Sequence, residues 1–346
     1  MLINRNKPRK IIINGNELLH KMDGMTRVAI EMVRRLDRML DPGEALLVVR
    51  DKDALASVIE LKNIRVVERK RPSRKWTFIN IDLYSILTGS LELGFRNRAG
   101  FAKGIYYLHD LIPFTFYGKT YDGNLKRMKK NARTIVTVSG HSKNEITRLL
   151  EVDEDRVCVI KNGWEHFKDI EPDTGIFDRY PELKPGQYFL SVGNISPHKN
   201  FQLIYEIAKG MKNSVFVIAG DMNRGLPVDV SDVSNMIFTG HLSGRETKAL
   251  MMNCRAFIFP SLAEGMGIPP LEALSCRVPV CVSDIPVMHE IFGESVHYFD
   301  PCDKKVDLRK MINEPVDPHE NVLNSLSWDK SAERLYSLIK KSLGKV

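Results

Sequence analysis

The sequence is poor in cysteine and has no long apolar run, and each shortage excludes a class of protein. The five cysteines among 346 residues are odd in number and lack the spacing of zinc ligands, which is typical of free thiols in a reducing cytosol. No window approaches the roughly 18 apolar residues of a membrane-spanning helix. The apolar run after the basic start is too short for a signal sequence. The sequence therefore predicts a cytoplasmic protein.

The second half of the chain lacks the positive charge that marks the first. Residues 1–150 carry a net charge of +14 and residues 151–346 carry −6, within a total of +8. The excess is concentrated in two runs, RKRPSRKW (69–76) and KRMKKNAR (126–133). Each run is explained either as an ordinary solvated face or as a surface for anionic lipid headgroups or a phosphorylated partner. Since no binding motif with stacking aromatics accompanies the runs, nucleic acid is not expected as a partner.

The chain does have an alternation of apolar runs and helical patterns from end to end. Strands are predicted at 10–15, 45–50, 63–68, 104–109, 134–139, 156–161, 188–193, 214–220, 235–240, 255–261, 278–283 and 295–300. Strand-sized apolar runs separated by helices favour parallel sheets covered on both faces. The stretch 166–187 is rich in proline, glycine and charge and is expected to be a linker. The sequence thus predicts an α/β fold of two Rossmann-like domains facing across a cleft, at 1–165 and 166–325.

Two helices of the first half are predicted in more detail. In residues 26–40 apolar side chains recur at helical spacing, at Val28, Met32 and Leu36. The stretch 142–151 opens with a serine and carries a glutamate three residues later, which resembles a capping box. Both segments are therefore expected to be helices packed on a sheet.

The segment EGMGIPPLE (264–272) has a glutamate at each end of a turn rich in glycine and proline. It follows a predicted strand, and in doubly wound sheets ligands bind outside the carboxyl ends of the strands. A helix is expected to begin at its prolines and to offer N–H groups to a diphosphate. Taken singly, Glu264 is explained as a solvated loop residue and Glu272 as a residue that interacts with the helix dipole. Together they suit a ligand with a diphosphate centre and hydroxyl groups at both ends, as in a nucleotide sugar.

The stretch 255–300 resembles the donor-binding region of the retaining glycosyltransferases of family 4, which have the GT-B fold. In that family two glutamates flank GFG-x-P; here Glu264 and Glu272 flank GMGIP. The resemblance implies that Glu264 contacts hydroxyls of the donor sugar and that Glu272 contacts the ribose. It also implies that four backbone positions face the diphosphate and the sugar: Gly265, Met266, Gly267 and Ile268.

The stretch SVGNISPHKNFQLIYEI (191–207) is similar to the family segment in which a basic pair binds the diphosphate. Lys199 matches the lysine of that pair, while His198 stands where an arginine is usual. The alternative arginine position is occupied by Asn194. Phosphate binding is therefore expected to depend on Lys199 and on helix N–H groups, with pH-dependent help from His198.

Two further stretches of the second half follow the family pattern. The base of the donor is expected to be held by backbone atoms within TGHLSGRE, at His241 and Leu242. The segment 326–346 resembles the C-terminal helix that crosses back to pack on the first domain.

The first half resembles the domain that receives the acceptor. A glycine followed after two residues by an arginine, Gly24 and Arg27, matches the family's first loop, although the usual double glycine is missing. The resemblance implies that this loop closes on donor and acceptor, with Gly24 at the donor and Arg27 on the acceptor side. The stretch YYLHDLIPFTF resembles the strand that ends in His-Asp, with His109 reaching toward the donor sugar and Asp110 beside it. Ser139, in TVSGHSKNEI, is expected to line the cleft with Arg27 and Asp110 on the acceptor side.

The resemblance also implies a mechanism. Retaining enzymes of this fold use no obvious protein nucleophile, and the leaving diphosphate helps to deprotonate the acceptor. Lys199 would stabilise charge on the β-phosphate, while His109 and Glu264 would orient and polarise the sugar. No Asp-x-Asp metal motif is predicted, and no cluster of histidine and cysteine has metal-ligand spacing. Neither a metal nor another cofactor is therefore expected.

The sequence therefore predicts transfer of a hexose from GDP-mannose, dTDP-rhamnose or a UDP-hexose to a saccharide acceptor in surface polysaccharide synthesis, such as lipopolysaccharide or capsule. A basic first domain suits a lipid-linked pyrophosphoryl acceptor and peripheral attachment to the inner, anionic face of the cell membrane, although a soluble acceptor stays open. One alternative is a nucleotide-sugar epimerase of the same fold, which needs no acceptor. Another is a non-enzymatic protein that binds anions or membranes.

Overall fold

The computed structural model describes residues 11–19, 22–68, 79–82, 104–119, 123–221 and 233–344, and the chain divides into two compact units. The first unit comprises Met1–Asn162 and Trp328–Val346, and the second comprises Gly163–Ser327. The sequence-based boundaries at 165 and 325 lie a few residues from this division. The basic run at 69–76 lies outside the described residues.

The first unit contains a parallel sheet. Its described strands are β1 (Ile11–Asn14), β2 (Ala45–Val49), β3 (Arg65–Glu68), β4 (Ile79–Asp82), β5 (Gly104–Tyr107), β6 (Ala132–Thr137) and β7 (Val157–Val159). Their order across the sheet is β3-β2-β1-β4-β5-β6-β7, the doubly wound arrangement. All six strands predicted for this half are present. The strand β4 was not predicted because its four residues, INID, alternate with polar side chains and form no apolar run.

The described helices of the first unit before its last segment are α1 (Gly24–Met39), α2 (Lys52–Ala56), α3 (Ile112–Thr115), α4 (Gly123–Asn131) and α5 (Gly140–Leu150). In α1 the side chains of Val28, Met32 and Leu36 are almost fully buried, as their spacing predicts. Asp23 caps this helix by accepting the N–H of Thr26 at 2.9 Å.

The predicted capping box at the start of α5 is wrong. The helix begins at Gly140, so Ser142 already lies in its first turn. The cap is Ser139, whose Oγ accepts the N–H of Ser142 at 3.1 Å. A capping box does occur in the second unit, where Ser243 and Glu246 satisfy each other's backbone N–H groups.

The second unit also contains a parallel sheet. Its described strands are β8 (Tyr188–Val192), β9 (Val215–Ala219), β10 (Met236–Gly240), β11 (Ala256–Phe259), β12 (Val280–Ser283) and β13 (His297–Phe299). Their order is β10-β9-β8-β11-β12-β13, which repeats the doubly wound pattern. All six predicted strands are present. The two units are therefore Rossmann-like, as the alternation of patterns predicts.

The described helices of the second unit are α6 (Gly175–Arg179), α7 (Phe201–Gly210), α8 (Gly244–Asn253), α9 (Ile268–Ser275), α10 (Pro286–Phe292), α11 (Leu308–Met311) and α12 (Glu320–Ser325). The stretch 166–187, expected to be a linker, belongs to this unit. It contains α6 and most of a 3-10 helix at Glu165–Phe167. Under the sheet, the rings of Phe189 and Phe216 stack with centroids 5.3 Å apart and form part of a continuous apolar core.

The last helix, α13 (Trp328–Leu343), belongs to the first unit and packs on α1. Its apolar face includes Trp328 and Leu335, which are fully buried. At its ends Asp329 accepts from Arg35 at 2.5 Å and Lys340 donates to Glu44 at 2.7 Å. This confirms the predicted return of the C-terminal helix to the first domain. Within the described ranges, no helix is long and apolar enough to cross a membrane.

Candidate functional site

The strand order of the second unit reverses between β8 and β11, and this is where ligands bind in doubly wound sheets. The loops that follow these two strands are joined, because the N–H of Leu262 donates to the carbonyl of His198 at 2.7 Å. The loop after β8 also passes very close to the end of β9. A Cβ at Gly220 would lie 1.9 Å from the carbonyl oxygen of Gly193, so only glycine fits there.

Two of the predicted site residues meet at this edge of the sheet. Lys199 ends the 3-10 helix Pro197–Lys199, and its Nζ lies 2.5 Å from Oε1 of Glu264 in the loop after β11. The side chains of Lys199 and Glu264 are 20% and 9% exposed. The ammonium also lies 5.1 Å from the centroid of the Phe259 ring. The two residues predicted to contact different parts of a donor thus form one largely buried ion pair.

An ammonium group has three N–H donors, and one of them is used by Glu264. The remaining donors of Lys199 are suited to a phosphate oxygen. A phosphate beside Lys199 would lie next to a carboxylate, which accepts hydrogen bonds from sugar hydroxyls. The pair can therefore hold the junction between a phosphate and a sugar.

The helix after this loop offers fewer donors than predicted. It begins at Ile268, and the two following residues, Pro269 and Pro270, have no N–H. The predicted start around the prolines is confirmed to within one residue. The expected array of free N–H groups is reduced to those that precede the prolines. Gly267 has a φ of 92°, a conformation that favours glycine. Gly265 and Met266 before it are buried in the loop.

Glu272 lies beyond the first turn of α9, because the helix begins at Ile268. A helix-dipole role for this carboxylate is therefore weak, since that effect fades after the first turn. Its Oε1 instead lies 2.8 Å from Nε2 of His166. The side chain of Glu272 is 15% exposed and that of His166 is 1% exposed. Sequence reasoning missed His166, because a histidine in a stretch rich in proline and charge has no periodicity that marks it.

The other predicted donor-site residues of the second unit lie on neighbouring strand ends. Asn194 is exposed in the loop after β8, and His198 shares a hydrogen bond of 3.2 Å with Ser196. His241 is exposed directly after β10, while Leu242 is buried. No hydrogen bond joins the side chains of Asn194 or His241 to the ion pair in the part of the chain that the structure describes.

In the first unit, His109 follows β5 and is buried, with 9% of its surface exposed. Its carbonyl accepts the hydroxyl proton of Thr137 at 2.9 Å. Burial lowers the pKa of His109 to about 4, and the nearby Asp23 carboxylate opposes this only in part. The imidazole is therefore neutral near pH 7 and can orient a hydroxyl group, but it does not supply positive charge.

The predicted acceptor residues mostly serve the local backbone. Gly24, which is predicted to bind the donor, is the exposed first residue of α1. Among the acceptor residues, Arg27 lies 3.7 Å from the buried carboxylate of Glu31 in the same helix. Asp110 accepts the N–H of Ile112 at 3.0 Å, and Ser139 caps α5. Their role toward an acceptor stays a prediction.

Metal binding is not supported by any cluster in the described residues, where no group of three or more His, Cys, Asp or Glu is placed to hold an ion. The expectation that Asp-x-Asp is absent is wrong, because the sequence contains two such triplets, at 51–53 and 153–155. In the first, Asp51 caps α2 through the N–H of Ala54 at 2.9 Å. That no metal is required stays a prediction.

Comparison with known proteins shows which families and structures this chain resembles. Residues 176–314 match the model of the glycosyl transferases group 1. The O-antigen chain mannosyltransferase RfbU of Salmonella typhimurium is 31% identical over 210 residues, which cover 57% of this chain and 57% of that protein. The serotype-specific mannosyltransferase WbdA of Escherichia coli is 29% identical over 237 residues, covering 61% of this chain and 29% of that protein.

The matched segments thus span little more than half of the first relative and under a third of the second. Among solved structures, Anabaena HepE in complex with UDP and glucose has a TM-score of 0.71 at 15% identity, with 96% of this chain and 99% of that chain covered. At this identity the likeness shows the fold, which is GT-B as predicted. Residues 176–314 are therefore similar to the glycosyl transferases group 1, and the resemblance to polysaccharide glycosyltransferases seen in the motifs is confirmed.

Proposed function

We propose that the chain is a retaining glycosyltransferase that moves a hexose from a nucleoside-diphosphate sugar to a saccharide acceptor during surface polysaccharide assembly. The observation that carries the proposal is the ion pair of Lys199 and Glu264 at the point where the strand order reverses. The pair holds an ammonium, which can donate to a phosphate, beside a carboxylate, which can accept from hydroxyls, and both lie within the segment that matches the family model.

Donor binding follows from the chemistry of these groups. Lys199 donates to the β-phosphate, and Glu264 accepts from hydroxyls of the sugar. The backbone around Gly267 and Ile268 approaches the diphosphate, with only the N–H groups ahead of the prolines available. Glu272 accepts from the ribose.

Mannose is the sugar that the relatives favour. Both RfbU and WbdA are named as mannosyltransferases, so GDP-mannose is the first donor to test. The UDP and glucose bound to HepE belong to that protein, and they keep a UDP-hexose as the second donor to test.

The reaction requires no protein nucleophile in this proposal. The β-phosphate oxygen of the leaving group takes the proton of the acceptor hydroxyl, and the new glycosidic bond forms on the face that the diphosphate leaves. Lys199 stabilises the charge that develops on the phosphate. His109 is neutral because burial lowers its pKa, so it serves as a hydrogen-bonding partner for a sugar hydroxyl and leaves charge stabilisation to Lys199.

The acceptor is proposed to be a saccharide on a lipid pyrophosphate, presented at an anionic membrane surface. Lys126 and Lys130 are exposed on α4 and belong to one of the two basic runs of the first unit. Basic residues near such a surface contribute about 1 kcal/mol each. This attraction brings the enzyme to the inner face of the cell membrane as a peripheral protein.

The decisive experiment is thermal unfolding with UDP, GDP, dTDP and CDP, without metal, on the wild type, Glu272→Ala and the exposed control Glu182→Ala. A nucleotide at 100 times its dissociation constant adds about 2.7 kcal/mol to the free energy of unfolding. We expect one nucleotide to stabilise the wild type and the control but not Glu272→Ala. No stabilisation by any of the four would contradict the proposal and favour a protein that binds other anions.

Product analysis then separates the reaction classes. The preferred nucleotide sugar incubated without acceptor is expected to stay unchanged apart from slow hydrolysis. Conversion to an epimer would replace the transferase proposal by an epimerase of the same fold.

A further inference from the structure

The stretch around His166 is held firmly within the second unit. The indole N–H of Trp164 donates to the carbonyl of Leu323 in α12 at 2.9 Å. Lys248 in α8 donates to the carbonyls of Phe167 and Lys168 at 3.0 and 2.8 Å. A segment expected to be a free linker is thus fixed by two helices on either side of His166.

The side chain of His166 meets only one oxygen of Glu272. Nε2 of His166 lies 2.8 Å from Oε1, and the histidine is 1% exposed while the glutamate is 15% exposed. The carboxylate is therefore held at Oε1, while 15% of the glutamate side chain is exposed. A free glutamate side chain loses rotamer entropy worth up to about 2 kcal/mol when a ligand orders it. A side chain that a protein partner already holds in place does not lose this entropy on binding, which favours the ligand.

A gain in stability is a weak explanation for the pairing of His166 with Glu272. Buried charged pairs contribute little net stability, and apolar replacements of similar volume are often equally stable. The orientation of the carboxylate is the property that an apolar replacement would lose.

We infer that His166 is a positioning residue for the donor ribose: it holds Glu272 so that the other carboxylate oxygen accepts a ribose hydroxyl. The inference rests on the proposed nucleotide-sugar function and adds a residue outside the glutamate and lysine motifs. It also gives the segment that follows the first unit a direct part in the donor site, since that segment carries the residue which orients Glu272.

The test is a comparison of ribonucleotide and dideoxyribonucleotide binding. The nucleoside diphosphate that stabilises the wild type and its 2′,3′-dideoxy analogue are titrated by calorimetry into the wild type, His166→Phe, His166→Gln and Glu272→Ala. Glutamine retains an N–H donor near the place of Nε2, whereas phenylalanine does not. The matched control is His289→Phe, which breaks a second histidine–carboxylate pair of the same unit, with Asp284 at 2.7 Å.

We expect Glu272→Ala to weaken ribonucleotide binding by about tenfold to a hundredfold, the range of hydrogen bonds to a charged group. His166→Phe is expected to weaken it by about threefold to tenfold, and His166→Gln to recover much of that loss. Neither change at position 166 should alter the affinity for the dideoxy analogue. The control is expected to bind both ligands like the wild type.

The outcomes distinguish a failure of the positioning role of His166 from a failure of the nucleotide-sugar site itself. Equal loss with both ligands in His166→Phe, or no loss at all, would overturn the positioning role while the nucleotide site stands. If the wild type binds none of the nucleotides, the proposed function fails and this inference fails with it. A folded state of His166→Phe is checked by circular dichroism, and the glutamine variant decides the question if phenylalanine is not accommodated.

Discussion

The two units share the doubly wound sheet order, which the first extends by one strand, but their candidate polar residues make different contacts. In the second unit these residues reach each other across long distances in sequence, as Lys199 does with Glu264 and His166 with Glu272. In the first unit the corresponding candidates serve nearby backbone, as Ser139 does in capping α5. Candidate residues of the second unit thus pair with one another, whereas those described in the first unit mainly contact their own local backbone, apart from the buried His109.

The difference between the two units is tested most directly by removing the ion pair of Lys199 and Glu264. Lys199→Ala is expected to reduce glycosyl transfer by about a hundredfold to a thousandfold, as for loss of a group that stabilises developing charge. It should also lower the free energy of unfolding by about 3 kcal/mol, because Glu264 is left buried and unpaired.

The double variant Lys199→Met, Glu264→Gln serves as the control for stability. It removes both charges at similar volume, so unfolding by denaturant should return near the wild-type midpoint while transfer stays lost. Activity that returned with stability would show that the pair is only a structural one.

The buried histidine of the first unit makes stability depend on pH. Its pKa is lowered to about 4 by burial, so between about pH 6.5 and pH 4 the unfolded chain binds a proton that the native unit does not. The contribution of His109 to the free energy of unfolding is therefore fully present above pH 6.5. As the pH drops to 4, the loss of this contribution lowers the free energy of unfolding by about 2–3 kcal/mol. Urea unfolding of the wild type and His109→Gln at several pH values measures this.

The pH dependence that remains in His109→Gln is expected to come from the second unit. Burial lowers the pKa values of His297 and His319 there as well. A wild-type slope retained in full by the variant would mean that His109 does not contribute.

Charge reversal on α4 tests whether the basic first unit meets a membrane. Lys126→Glu with Lys130→Glu should weaken binding to anionic vesicles by about tenfold or more, since each exposed lysine contributes about 1 kcal/mol. Sedimentation with anionic and neutral vesicles at low and high salt is the measurement. Equal binding to both kinds of vesicle would refute the electrostatic account.

The smallest effect is expected from the caps, which occur in both units. Ser139→Ala and Ser243→Ala should each lower the free energy of unfolding by about 1 kcal/mol, because each removes the acceptor of a helix N–H. A transfer assay on Ser139→Ala then shows whether this serine also acts toward the acceptor. A change in KM beyond the stability effect would add it to the site.

Much of this protein is determined by local sequence. The predicted strands and the buried face of α1 follow from apolar runs and their spacing, because burial on a sheet or helix has a fixed period. Glu264 and the glycines of its loop could be selected because their residue types suit a phosphate and a sugar, whereas Lys199 was selected through the resemblance of its segment to the family. The short strand β4 was not predicted, because half of its four residues are polar and they form no apolar run.

Tertiary structure decided which of these residues meet. Lys199 and Glu264 are 65 residues apart, and His166 and Glu272 are 106 apart. The first contact exists because the sheet order places β8 beside β11, which brings together the loops that follow them. The second exists because two helices hold the segment around His166 against α9. Local patterns encode period and chemistry, but the pairing of distant strands and helices depends on the packing of the whole unit.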